Sequence, residues 1–119
     1  MSNKKYEFVD GDTIEHNGIT LKRIRANVAI GLTVSAGDLG GYIQSEENLS
    51  QVSGNAWVYG DARVFGNAQV YGNAWVYDDA LVSGNARVSG DARVFGNAQV
   101  YGNAQVYDDA LVYGDARVS

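Results

Sequence analysis

From Gly54 to Ser119 the chain is one unbroken six-residue repeat. It reads GNAWVY, GDARVF, GNAQVY, GNAWVY, DDALVS, GNARVS, GDARVF, GNAQVY, GNAQVY, DDALVY and GDARVS, eleven hexads without an insertion. NLSQVS at 48–53 is a degenerate twelfth, with Ser50 in the Ala place and Val52 in the Val place. A short period repeated this often dictates the architecture, because each unit can bury its apolar face only against its neighbours. An α-helix is excluded: Gly or Asp-Asp recurs every six residues, and the apolar positions lack a 3.6-residue period. Within a hexad, Ala and Val lie two apart and point to one side of an extended segment. The residues between and after them, such as Trp57 and Tyr59, point to the other side. Gly-Asn or Gly-Asp then turns the chain, since Gly takes positive φ freely and Asn and Asp tolerate it. The Ala-Val side is apolar in every hexad and must face inward. Identical short strands with identical corners predict a coil rather than a meander of hairpins. The coils should rise by about 4.8 Å, and each buried Val should contribute roughly 1.5 kcal/mol or more before chain entropy is subtracted.

The V-x-G-[N/D]-A-x pattern resembles the hexapeptide repeat of left-handed parallel β-helices. The resemblance covers 66 of 119 residues. It implies an all-β, left-handed parallel β-helix in which three hexads form one triangular coil. Residues 1–47 read as an N-terminal β-rich cap and 48–119 as the β-helix. In the cap, Tyr6–Val9, Thr13–His16 and Ile19–Arg25 read as short strands separated by Asp10-Gly11 and Asn17-Gly18. Asn-Gly between alternating strands is a strong hairpin signal. Gly37-Asp-Leu-Gly-Gly matches neither a phosphate-binding loop nor a dinucleotide fingerprint and reads as a turn.

Residues 5–26, then SAGDLGGYIQSEENLSQ and the GNAxVxG repeats, look like a group of poorly characterised proteins from enteric bacteria and their phages. Some of that group are labelled acetyltransferases because of their β-helix. The resemblance implies a phage or prophage source and a cytoplasmic setting, and brings no established activity. Hexapeptide acyltransferases use a His on a loop, with the acyl-CoA held between subunits. Here the only His is His16, beside the predicted Asn17-Gly18 turn, and no loop interrupts the coils. An acyltransferase is therefore the alternative reading, and no catalytic, cofactor-binding or metal-ligating residue is expected.

Composition narrows the function further. The formal net charge is −5 with nine Lys and Arg, which argues against direct nucleic-acid binding. There is no Cys, so neither disulfides nor thiolate metal sites arise. The N-terminus lacks the apolar stretch of a secretory signal, and no apolar run reaches membrane-spanning length.

With 18 residues per coil the exterior sorts into three faces. The first carries Trp57, Trp75, Arg93 and Leu111 in one column and Tyr59, Tyr77, Phe95 and Tyr113 in the other. The second pairs Arg63, Leu81, Gln99 and Arg117 with Phe65, Ser83, Tyr101 and Ser119; the third pairs Gln69, Arg87 and Gln105 with Tyr71, Ser89 and Tyr107. The first face, with both tryptophans and an unbroken aromatic ladder, has three readings. It stiffens the sheet through cross-strand pairs, joins subunits into a dimer or trimer, or offers a stacking platform to a ligand. Asp61 over Asp79 and Asp91 over Asp109 are expected as stacked acidic corners: solvated, holding a cation, or mimicking a row of phosphates. Residues 60–89 and 90–119 are nearly the same text, and five hexads do not fill whole coils, so the copy lands on different faces. That favours extension of a scaffold over duplication of a chemistry. The last coil carries no visible cap, and its edge is expected to be covered by another copy or by a partner. The function expected is non-enzymatic: a self-associating scaffold that binds a host protein, such as a defence or replication factor.

Overall fold

A computed structural model describes residues 4–31, 33–51 and 55–119. Gly54, the first residue of the eleven hexads, and Val52, in the Val place of the degenerate hexad, lie outside them. The strands are β1 (Tyr6–His16), β2 (Ile19–Ala26), β3 (Leu39–Ile43), β4 (Trp57–Val58), β5 (Arg63–Val64), β6 (Gln69–Val70), β7 (Trp75–Val76), β8 (Leu81–Val82), β9 (Arg87–Val88), β10 (Arg93–Val94), β11 (Gln99–Val100), β12 (Gln105–Val106), β13 (Leu111–Val112) and β14 (Arg117–Val118). From β4 onward each strand pairs in parallel with the strand three further on, as Trp57 with Trp75 and Arg63 with Leu81. Three sheets result, β4-β7-β10-β13, β5-β8-β11-β14 and β6-β9-β12. This is a parallel β-solenoid.

The inward assignment holds residue by residue. Every Ala and Val of the repeats from Ala56 to Val100 is at most 1% exposed. Ala110 and Ala116 are exposed, because no further coil lies over them. The corners explain the glycines. A Cβ built on Gly90, at φ 65°, would lie 2.8 Å from the Asp108 backbone N one coil away. Asp78 and Asp108 take the same positive φ, at 60° and 56°. The Asp78 carboxylate accepts from the Gly96 backbone N one coil away, at 3.2 Å. Corner side chains add their own ladder: Asn67 Nδ2 donates to Asn85 Oδ1, and Asn85 Nδ2 to Asn103 Oδ1, both at 3.2 Å.

The segment before the repeats departs from expectation in three places. Tyr6–Val9 and Thr13–His16 are not two strands. They form the single strand β1, and Asp10-Gly11 lies in a bulge between the pairs Phe8–Ile24 and Thr13–Lys22. Gly40 and Gly41 are not turn residues. They sit in β3, where a Cβ on Gly40 would lie 2.6 Å from the Val58 carbonyl and 2.8 Å from the Trp57 ring. The turn is confined to Ser35–Asp38, where the Asp38 backbone N donates to Ser35 O.

The third departure is one of register. Leu49 pairs with Val70, and Leu49 is fully buried. Likewise Tyr42 of β3 pairs with Arg63. The first turn of the solenoid is thus longer than the repeat that follows. The offset is the same 21 residues on both sides of the 3₁₀ turn Glu46–Asn48 and becomes 18 by the pair Trp57–Trp75, so the extra residues lie between Leu49 and Trp57. Fully buried Asn48 replaces the missing backbone bonds: Oδ1 accepts from the Gln44 and Ser45 backbone N at 3.0 and 2.9 Å, and Nδ2 donates to the Gly66 and Ala68 carbonyls at 3.2 and 2.9 Å. Antiparallel β1-β2-β3 therefore runs on into β5-β8-β11-β14 as one sheet.

Candidate interaction surface

The first face is the outer side of β4, β7, β10 and β13 and the residues that follow each strand. In one column the rings stack face to face. Centroids are 4.8 Å apart for Tyr59–Tyr77, 4.9 Å for Tyr77–Phe95 and 5.4 Å for Phe95–Tyr113, with planes within 12° of parallel. The cause is the parallel ladder, which repeats each side chain at one coil rise. Because the rings cover one another, the column shows solvent their edges and hydroxyls. Only Tyr113, 58% exposed, shows much of its surface. Burial, reinforced by the neighbouring Tyr77, lifts the Tyr59 phenol to about 12.

The second column divides. Trp57 is fully buried and so is not a surface residue. Tyr6 packs edge-on against it at 6.2 Å, and its ring occupies the space that Gly40 leaves open. Trp75, one coil on, is half-buried and meets Tyr59 edge-on at 5.3 Å. Arg93 is exposed, and Leu111 is 56% exposed. Beside them lies a groove of about 430 Å³, lined by Gly31, Thr33, Asn55, Asn73, Trp75 and Arg93 among others. Of the eight expected interface residues, the structure leaves Trp75, Tyr77, Arg93, Phe95, Leu111 and Tyr113 on the open face, with Tyr59 at its covered edge.

The segment before the repeats is held by residues the sequence did not single out. Lys5 is buried, donates to the Ala56 carbonyl at 2.8 Å, and is lowered by burial to about 8. The Tyr6 hydroxyl donates to Leu49 O at 2.6 Å, and burial raises its pKa. Gln51 acts as a substitute strand, accepting from Tyr6 N and donating to Tyr6 O, both at 3.1 Å. Only the alternation of the Tyr6–Phe8 segment hinted at such an anchor.

His16 closes the hairpin of β1 and β2 over the second face. Its ring lies 4.9 Å from Phe65, and its Nδ1 is 3.1 Å from Arg63 Nη1. Arg can only donate, so Nδ1 accepts and Nε2 carries the hydrogen. Among the described residues, no group of three or more His, Cys, Asp or Glu side chains is placed to share a metal ion. At the corners, Asn73 Nδ2 donates to Asp91 Oδ1 at 3.2 Å, and the Gly96 backbone N donates to Asp78 Oδ2 at 3.2 Å. No helix among the described residues is long and apolar enough to cross a membrane.

The YdcK β-solenoid repeat family model matches residues 50–64, 56–72, 68–84, 80–94, 86–102 and 104–119, together more than half of the chain. The chain belongs to the YdcK β-solenoid repeat family. The YdcK repeats thus coincide with the coils that build all three faces, and β1 to β3 lie before the matched segments. No curated protein matches the chain.

Proposed function

We propose that this YdcK-type solenoid is a non-enzymatic scaffold that self-associates through its first face and binds another protein. Residues 1–47 act as the cap and 48–119 as the rod, which winds left-handed like the hexapeptide-repeat β-helices. The observation that carries the reading is the first face itself: a continuous aromatic column flanked by half-buried Trp75 and exposed Arg93 and Leu111. Trp, Tyr and Arg are the residues that anchor interfaces, and Leu111 and Tyr113 leave apolar surface open at the end of this face. In this reading the protein is encoded by a phage or prophage, works in the cytoplasm of a bacterial host, and acts as an inhibitor of a host defence system such as CRISPR. Light scattering on the wild type and on Arg93→Glu/Leu111→Asp tests the assembly. An oligomer that the double substitution dissociates supports it; an unchanged mass overturns it.

The second reading is a divergent hexapeptide acyltransferase. The observation in its favour is the position of His16 at a groove of about 470 Å³ with Phe65, Leu81 and Tyr101. Calorimetric titration with acetyl-CoA separates the two: binding that is lost in His16→Ala favours the enzyme.

A further inference from the structure

The second and third faces repeat the first-face ladder with one ring left out. On the second face the column following the strands is Phe65, Ser83, Tyr101, and on the third it is Tyr71, Ser89, Tyr107. Each serine stands in perfect register between its aromatics, since Arg63, Leu81 and Gln99 pair in turn, as do Gln69, Arg87 and Gln105. The backbone ladder does not falter there: the Ser83 and Ser89 N–H groups donate to Val100 and Val106 at 2.9 Å. Only the ring is missing. Both serines belong to one turn of the solenoid, on adjacent faces, each just before its own corner.

We propose that Ser83 and Ser89 mark two slots that bind a neutral, planar aromatic molecule, which inserts between the flanking rings and completes the ladder. The chain contains its own template for the occupied state. Tyr77 lies between Tyr59 and Phe95 with centroids 4.8 and 4.9 Å away and planes within 11° and 3°. Two coil rises separate the flanking rings of each slot, about 9.6 Å, so one inserted ring stacks on both sides at the spacing Tyr77 shows. Open space is present at each gap. A groove of about 160 Å³ is bounded by Tyr71, Arg87, Ser89, Gln105 and Tyr107. The second-face groove, about 470 Å³, is walled on one side by the hairpin tip at His16 and Asn17.

The unfilled gaps leave aromatic surface in water. Tyr71 and Tyr101 are 38 and 39% exposed, whereas Tyr77 and Phe95, each with a ring on both sides, are only partly exposed. An inserted ring removes two such faces from water at once. Charge selects against ions: the net charge of −5 disfavours anions, and Arg63 and Arg87 beside the slots disfavour cations. In the second-face slot, at Ser83, the Nε2–H of His16 offers a donor to a heteroatom on the ring edge, because Nδ1 is engaged by Arg63.

Indole is the probe, with cyclohexanol as the non-planar control, followed by amide chemical shifts of the assigned full chain. Shifts at Ser83, Ser89 and their flanking aromatics that saturate at about millimolar indole, with no saturating response to cyclohexanol, are expected. Ser89→Tyr, which fills one gap, should abolish the third-face response and preserve the second; Ser83→Tyr should do the reverse. Non-saturating shifts, an equal response to cyclohexanol, or indole shifts that persist at a filled gap would each overturn the proposal.

Discussion

Trp57 and Trp75 occupy the same place in identical GNAWVY hexads and pair directly across β4 and β7, yet their replacement by Ala should have different consequences. Trp57 is fully buried between the solenoid and the cap, with Tyr6 edge-on and Gly40 cleared to admit its ring. Its truncation removes the ring's transfer energy and leaves a cavity that rigid β3 cannot collapse, a loss of about 3–5 kcal/mol. Trp75 keeps one side in water and makes one edge contact with Tyr59, so its truncation should cost about 1 kcal/mol. Urea unfolding followed by circular dichroism reads both, at one fixed protein concentration because association would add to apparent stability. Equal losses for the two variants, or a larger loss for Trp75→Ala, would refute the claim that the cap buries Trp57. The same comparison separates folding from assembly, since only Trp75→Ala is a fair test of the first face in light scattering.

Three other outcomes follow from the cap and its seam. Asn48→Ala leaves the Ser45 N–H without its Oδ1 acceptor and the Gly66 and Ala68 carbonyls without their Nδ2 donor, while the Gln44 N–H keeps the Val64 carbonyl, and should cost about 2–4 kcal/mol; a loss below 1 kcal/mol in the same urea assay would show that the side chain is not the splice between the first segment and the coils. Gly40→Ala places a methyl within 2.6 Å of the Val58 carbonyl, and its thermal midpoint should fall markedly while Gly11→Ala, with open space around it and strained only by its positive φ, falls less; the reverse order would argue against close packing of β3. Lys5 is lowered by burial from 10.5 to about 8, so between those values the unfolded chain binds more protons than the folded one. Stability should therefore rise with pH across that window, by at most about 3 kcal/mol, until the raised Tyr6 and Tyr59 phenols reverse the trend above pH 10. Lys5→Met should remove the rise, and a wild-type stability that declines steadily from pH 8 would contradict the assignment.

The coils were legible in the sequence because each hexad sees nearly the same surroundings. Ala and Val two apart, followed by Gly-Asn or Gly-Asp, state the inside, the outside and the corner locally, and stacking at 18 residues merely repeats that answer. The three faces, their columns and the ring-ladder of Tyr59, Tyr77, Phe95 and Tyr113 followed from counting alone. The end of the solenoid did not. Leu49 lies beneath Val70, 21 residues away where the repeat would give 18, and buried Asn48 ties that first turn to the next coil through four side-chain hydrogen bonds. Gly40 and Gly41 looked like turn residues, and they proved to be strand residues packed against the first coil, Gly40 leaving room for the Trp57 ring and Gly41 for the Ala62 carbonyl and the Val58 side chain. Two identical hexads received different fates, one in the core and one on the surface. Burial at those positions is set by what packs on them from more than thirty residues away in some cases, as Tyr6 does on Trp57, and no local pattern encodes a neighbour that distant.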